Sequence, residues 1–155
     1  MKINIKTIIM KNIEKIISKF KIKKNLHIRY GDLDTFKHVN NKSYLSFLED
    51  ARIYYFEKVI NFDLKKLDFE TVVARIEISY HYPIKIEDKV IAYIRCCKIG
   101  SKSLDLETII VKNDNKIVAK SKVTLVSFDI KNEKSTKNNL NSVKLIREFE
   151  KNSNL

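Results

Sequence analysis

The sequence predicts an α+β domain in which one antiparallel sheet curls around one long helix. Three observations carry this. From residue 41 a stretch without Gly or Pro sets large apolar residues at helical spacing, Tyr44, Phe47, Leu48, Ala51, Tyr55 and Val59, with Ser46, Asp50, Glu57 and Lys58 on a wetter side. Beyond residue 70 the apolar period switches to two and holds through four runs separated by short turn signals. The apolar face of the helix is wide and its exposed side narrow, so a sheet must wrap it. With 155 residues, 44% of them hydrophobic, the chain can build one proper core.

Taken in order, residues 1–19 form a basic lead. Ile5, Ile9, Ile13, Ile16 and Ile17 fit a helical stripe with Lys between them. Charge breaks this stretch too often for a signal peptide or a membrane span. It reads first as a helix docked on the domain. A membrane-surface helix and an organelle-targeting segment are the other readings, though targeting segments are usually richer in Arg and Ser. Residues 20–131 make the domain. Residues 20–30 read as a first strand, through Ile22, Leu26, Ile28 and Tyr30. The long helix follows, then a loop over residues 61–70. In the next strand Ile76, Ile78, Tyr80 and Tyr82 share one face, and Arg75, Glu77, Ser79 and His81 the other. Pro83 ends it. After a turn at Glu87-Asp88, Val90, Ala92, Ile94 and Cys96 alternate with Ile91, Tyr93, Arg95 and Cys97. Gly100-Ser101 marks another turn, residues 104–112 a strand, Asn113-Asp114-Asn115 a hairpin tip, and residues 116–129 the last strand. Residues 132–155 are a polar loop and a short helix through Val143, Ile146 and Phe149, started by Ser142. No internal repeat is evident.

The formal net charge is +12, from lysine spread along the whole chain rather than gathered into a patch. No basic segment is interleaved with aromatics, so nucleic acid is not the expected partner. Cys96 and Cys97 are adjacent and on a strand face opposite sides, so they are poor partners for each other. There is no CxxC motif, and the chain reads as reduced and cytoplasmic. His27, His38 and His81 are too scattered to argue for a metal site, and no cofactor is expected.

The stretch most able to do chemistry is the junction before the long helix. It carries Asp32 and Asp34, then His38-Val39-Asn40-Asn41. Asn40 or Asn41 is suited to cap the helix. The first N–H groups of a helix have no internal partner and lie at the positive end of its dipole, so an anion or a polarised carbonyl fits there. Read alone, Asp34 is a loop carboxylate that caps a turn or the helix.

The run Asp32-Leu33-Asp34, His38-Val39-Asn40-Asn41, Tyr44 and Glu49-Asp50-Ala51-Arg52 resembles the hot-dog-fold thioesterases of the 4-hydroxybenzoyl-CoA thioesterase family. Val73-Ala74-Arg75-Ile76-Glu77-Ile78 and Tyr82-Pro83 resemble that family's second strand, and the likeness covers about residues 20–129. Two positions depart from the pattern: Lys37 stands where the family usually has Gly, and Asn41 where some members place a catalytic His. The resemblance implies hydrolysis of an acyl-CoA or acyl-carrier-protein thioester. It makes Asp34 the catalytic carboxylate, attacking the thioester carbon or deprotonating a water, with the backbone N–H of Asn41 polarising the carbonyl. It puts Tyr30, His38, Asn40 and Tyr44 around the substrate. On residue type alone, Tyr30 is equally a strand-end core residue, His38 a satisfied loop histidine, Tyr44 core, and Asp32 structural. Glu49 and Arg52 can pair on the helix, and Glu49 is the next candidate acid should Asp34 prove dispensable. The resemblance further implies a homodimer or homotetramer joined by sheet edges, and the basic charge would draw the phosphates of coenzyme A. A non-catalytic hot-dog module that binds acyl-CoA is the alternative.

Overall fold

The computed structural model describes residues 5–66, 69–113, 116–151 and 155, with side chains from residue 11 onward. The order is α1 (Ile5–Ile17), β1 (Ile22–Leu26), a 3-10 turn (Tyr30–Asp32), α2 (Asn41–Ile60), β2 (Thr71–Tyr80), β3 (Val90–Ile99), β4 (Ser103–Lys112), β5 (Lys116–Asp129), β6 (Lys134–Ser135) and α3 (Leu140–Glu150). The main sheet is antiparallel throughout, in the order β1-β3-β4-β5-β2, and the two residues of β6 pair with the end of β5. The predicted α+β architecture, a curled antiparallel sheet around one long helix, is the architecture found.

The helix α2 forms where the apolar spacing placed it. Its buried side is Ser43, Tyr44, Phe47, Leu48, Ala51, Tyr55, Phe56 and Val59. Asn40 is the cap, its side chain accepting the N–H of Lys42 at 3.1 Å, and Asn61 stops the helix in the left-handed conformation at φ 56°. The sheet answers with alternate residues: Val90, Ala92, Ile94 and Cys96 of β3, Leu104, Leu106 and Ile110 of β4, and Val123 and Leu125 of β5 are all buried in the same cluster as α2. Each Val, Leu or Ile among them contributes roughly 1.5–3 kcal/mol through the area it removes from water.

The sheet's opposite face carries α1. Ile13 is buried, and Ile16 and Ile17 pack with Phe20, Ile109 and Val111, so the described part of the lead lies on the sheet as a docked helix. The side chains of Ile5 and Ile9, and residues Asp114 and Asn115 of the hairpin tip, lie outside the described residues. None of the described helices is long and apolar enough to cross a membrane.

Three elements differ from expectation, each for a local reason. The first strand ends at Leu26, because the chain from Arg29 is drawn into the turn that Asp32 closes. On β2, Ile76 and Tyr80 share the face that should be buried, yet they are 39% and 46% exposed. β2 is an edge strand that α2 covers only in part, through Tyr44 against Tyr80, and alternation alone does not say where the covering helix stops. Helix α3 starts earlier than Ser142. Asn139 is its cap and accepts the Ser142 N–H at 3.1 Å.

Helix α3 is held over α2 and β3 by one carboxylate. Glu150 Oε1 accepts the Tyr55 hydroxyl at 2.8 Å and the Cys96 backbone N–H at 3.0 Å. Ile146 is fully buried beneath the helix, and the Phe149 ring stands edge-on to Tyr55 at 6.4 Å. Burial pushes the Cys96 thiol up to about 12.

Candidate active site

The loop between β1 and α2 is built on Asp32, which is 3% exposed. Its carboxylate accepts the Arg29 backbone N–H at 2.8 Å and the Arg29 guanidinium at 3.0 and 3.2 Å. The hydrogen bond from the Arg29 side chain holds the Asp32 carboxyl below its ordinary range against the opposing effect of burial. Its carbonyl accepts the Asn40 N–H at 2.8 Å and the Ser43 hydroxyl at 3.3 Å. Asp32 therefore ties the start of the loop to the first turn of α2. The structural role that the residue type suggested is the one found.

Between these anchors Leu33 and Val39 form a single bridge and Asp34 sits at the bend. Asp34 N–H donates to His38 O at 2.8 Å, and Lys37 N–H donates to Asp34 O at 3.0 Å. Asp34 Oδ1 accepts the N–H groups of Phe36 at 2.8 Å and His38 at 3.1 Å. Among the described residues Oδ2 takes no hydrogen bond. The carboxylate is thus positioned through one oxygen and left available through the other. Lys37 adopts φ 60°, the conformation a glycine would hold without strain. Lysine in that conformation costs about 1 kcal/mol relative to glycine.

A second loop closes the site. Val39 N–H donates to Ile84 O at 2.9 Å, which draws the segment after β2 against the Asp34 loop. Asp88 fixes that segment: it accepts the Lys85 N–H at 2.8 Å, Lys112 Nζ at 3.0 Å and Asn113 Nδ2 at 2.7 Å, while Lys112 also donates to Pro83 O at 2.7 Å. Burial raises the Asp88 carboxyl, but the Lys85 N–H, Lys112 and Asn113 outweigh it and hold it low. Together the loops line a cavity of about 600 Å³. Tyr30, Leu33, Asp34, Phe36, Lys37 and His38 form one side, and Lys85, Ile86 and Glu87 the other.

Of the residues singled out from sequence, Tyr30, Asp34 and His38 meet in this cavity. Tyr30 is 85% exposed, so it is a wall residue and not core. Asn40 and Asn41 begin α2 next to the loop, and the Asn41 N–H makes no hydrogen bond among the described residues. Tyr44 is buried, its ring edge-on to Tyr80 at 4.9 Å, and burial pushes its hydroxyl up to about 12. It lies in the core and does not line the cavity. Glu49 and Arg52 pair at 3.1 Å on α2. Sequence reasoning missed Phe36, Lys85, Ile86 and Glu87. The last three arrive through the Val39–Ile84 hydrogen bond, and only Pro83 and the acidic turn hinted that anything but a connection lay there. Among the described residues no group of three or more His, Cys, Asp or Glu is placed to hold a metal ion.

The sequence matches the family described as the thioesterase-like superfamily over residues 28–144, which spans both loops and every strand of the main sheet except β1. The chain belongs to the thioesterase-like superfamily. The long-chain acyl-CoA thioesterase FadM of Escherichia coli is 30% identical over 112 residues, covering 71% of this chain and 85% of that protein. Among solved structures, a thioesterase from Thermus thermophilus complexed with coenzyme A and zinc superposes with a TM-score of 0.77 at 29% identity, covering 86% of this chain and 96% of that one. A DHNA-CoA thioesterase from Staphylococcus aureus shares the fold, with a TM-score of 0.68 at 18% identity over 74% of this chain and 78% of that one. The hot-dog thioesterase family that the loop motif resembled is the family found, and membership makes the chain a thioester hydrolase.

Proposed function

We propose that this protein hydrolyses acyl-CoA thioesters to free acid and thiol, with Asp34 as the catalytic carboxylate. The observation that carries the reading is the split environment of Asp34. Two backbone N–H groups fix Oδ1 while Oδ2 is uncommitted, on the wall of a cavity of about 600 Å³. A carboxylate so held either attacks the thioester carbon or takes a proton from a water that does. Charge then grows on the carbonyl oxygen, and the unpaired Asn41 N–H at the positive end of α2 is the donor to meet it. Tyr30 and His38 border the thioester, and Asn40 holds the helix start in place.

The test is thiol release from a panel of coenzyme A esters, short to long plus one aromatic. The long members are included because the Escherichia coli relative acts on long chains. Turnover supports the proposal and begins to name the acyl group. Affinity for every ester without release of thiol would instead favour a non-catalytic acyl-CoA-binding module, the reading that Lys37 and Asn41 had kept open. Acyl-carrier-protein thioesters belong in the same panel.

The active unit in this reading is a homodimer. β2 offers ten residues of unpaired strand edge, and Val72, Val73, Ile76, Tyr80 and Tyr82 are 39–52% exposed along and just beyond it. An open edge with this much apolar surface is a template for a second strand. Ile76→Lys with Tyr80→Glu is expected to convert the dimer to monomer in light scattering coupled to size exclusion. A double variant that elutes and scatters as the wild type would reject the β2 edge as the interface.

A further inference from the structure

Resting on the thioesterase reading above, we infer that Lys112, at the end of β4, is a positioning residue for the reaction: its ion pair with Asp88 latches the second wall of the cavity where the ester is held against Asp34. That wall is part of a crossing. Between β2 and β3 the chain passes from one edge of the sheet past β5 and β4. Ile84 is fully buried in the middle of the crossing, and its carbonyl takes the Val39 N–H at 2.9 Å. Beyond it Lys85, Ile86 and Glu87 line the cavity. One ammonium fixes these three residues from both ends. Lys112 Nζ donates to Pro83 O at 2.7 Å, before them, and to Asp88 Oδ2 at 3.0 Å, after them. The same Asp88 oxygen accepts the Lys85 N–H at 2.8 Å, and the Asp88 N–H donates to Lys85 O at 3.1 Å, which closes the three into a turn. Asn113 completes the grip. Its side-chain amide donates to Asp88 Oδ1 at 2.7 Å, its N–H donates to Lys89 O at 2.8 Å, and its Oδ1 accepts the Lys89 N–H at 3.0 Å.

Holding the strands together does not call for this ammonium. Val90 and Lys112 are already partners in the β3–β4 register, and the Lys112 side chain reaches past the sheet to the crossing. The pair is largely shut off from water, with side chains 13% and 8% exposed, and apolar side chains of similar size would stabilise the fold at least as well. What the pair supplies is direction, since it draws two acceptors on either side of the wall to one point. Ile86 lines both this cavity and a second one of about 400 Å³ over Leu26, Ile28 and Val90, so the wall parts the two. A slack wall would loosen the ester and let the two spaces merge.

The test sets substrate handling against folding. Thiol release from the best coenzyme A ester of the panel is measured for the wild type, Lys112→Met, Lys112→Arg, Asp88→Asn and the double variant of Lys112→Met with Asp88→Asn, beside thermal melts and hydrogen exchange. Lys112→Met keeps an apolar stem and removes the ammonium. It is expected to raise KM about three- to fivefold and leave kcat within about twofold, because the wall holds ester and transition state alike while Asp34 keeps its own turn. Amides of residues 84–89 should exchange about tenfold faster, with those of α2 unchanged. Lys112→Arg can donate to both acceptors and should return KM to the wild-type value. Asp88→Asn keeps an acceptor for the Lys85 N–H and reads the same loss should Lys112→Met fail to fold. The double variant should lose no more than the worse of the two single variants, the mark of groups that act as one unit. The inference is overturned if Tm falls while KM and exchange stay at the wild-type values, since the pair is then structural and nothing more. It is also overturned if kcat falls as far as kcat/KM, or if the two single losses add. A wild type that releases no thiol from any ester fails the thioesterase reading separately. Calorimetric affinity for the same esters then takes the place of KM, and the same three- to fivefold loss decides.

Discussion

Asp34→Asn is expected to lower kcat for thioester hydrolysis a hundredfold or more while leaving Tm close to that of the wild type. The reason lies in how the two oxygens of Asp34 are used. Oδ1 accepts the Phe36 and His38 N–H groups, and an asparagine amide oxygen can accept the same pair, so the bend survives. What the substitution removes is the negative charge, and with it any nucleophile or base. Loss of such a group typically costs two to four orders of magnitude. Asp34→Ala separates the roles further. It should lose activity as Asp34→Asn does, and in addition lose about 1 kcal/mol of stability with the two turn hydrogen bonds. Thiol-release kinetics beside thermal melts decide the matter. Equal turnover by wild type and Asp34→Asn would move the search for the acid to Glu49.

The second large effect is expected at Asp32, on stability first and activity second. Asp32→Ala removes the acceptor of the Arg29 N–H and leaves a gap in a fully packed position. The Arg29 guanidinium is largely in water and adds little, so the expected loss is about 2 kcal/mol. Turnover should fall about tenfold as the start of α2 loosens against the loop, since misplaced catalytic groups cost rate steeply. The pH dependence has a definite sign. The folded-state value of Asp32 lies below its unfolded value, so its stabilisation is complete above the ordinary aspartate range. It is lost as pH falls through the folded value. Asp88 and Asp105 are shifted the same way, in each case because their hydrogen bonds outweigh burial. Denaturant melts between neutral pH and pH 3 should therefore show stability dropping on the acid side. Asp32→Ala should show a shallower drop, because one of the contributing groups is gone.

The fold was legible because its signals are local. The spacing of Tyr44 to Val59 fixes a helix, and the alternation in β3 fixes which face meets it. Both patterns survive in three dimensions because each is set by spacing within its own element, whichever element covers it; α2 packs with β3, β4 and β5 and only in part with the strand that follows it. The exposure of Ile76 and Tyr80 was not legible, since it depends on where α2 stops covering the sheet. Asn139 was passed over as the cap of α3 because Ser142 is an equally good cap by type, and only the chain path shows which one turns first. The site was half legible. Asp34, His38 and Tyr30 belong to one loop, so a motif could gather them. Lys85, Ile86 and Glu87 reach the cavity through a hydrogen bond between residues 45 positions apart, Val39 to Ile84. At Lys37, where the family usually has Gly, the backbone holds the positive φ that glycine adopts without strain, a feature that residue type alone does not show.

The carboxylate of Glu150 has a consequence for how the molecule opens. It joins the last turn of α3 to residues 54 and 95 positions earlier, long-range contacts whose loop-closure entropy must be met before they form. Helix α3 is then a unit that can be released without unfolding the sheet, a local opening of the kind that amide exchange detects. Cys96 lies where that opening would be felt. Its thiol is buried and held far from ionisation while α3 is docked, and it becomes an ordinary reactive cysteine when the helix lifts. The rate at which this one thiol is alkylated in the native protein is therefore a clock for the motion of the C-terminal helix.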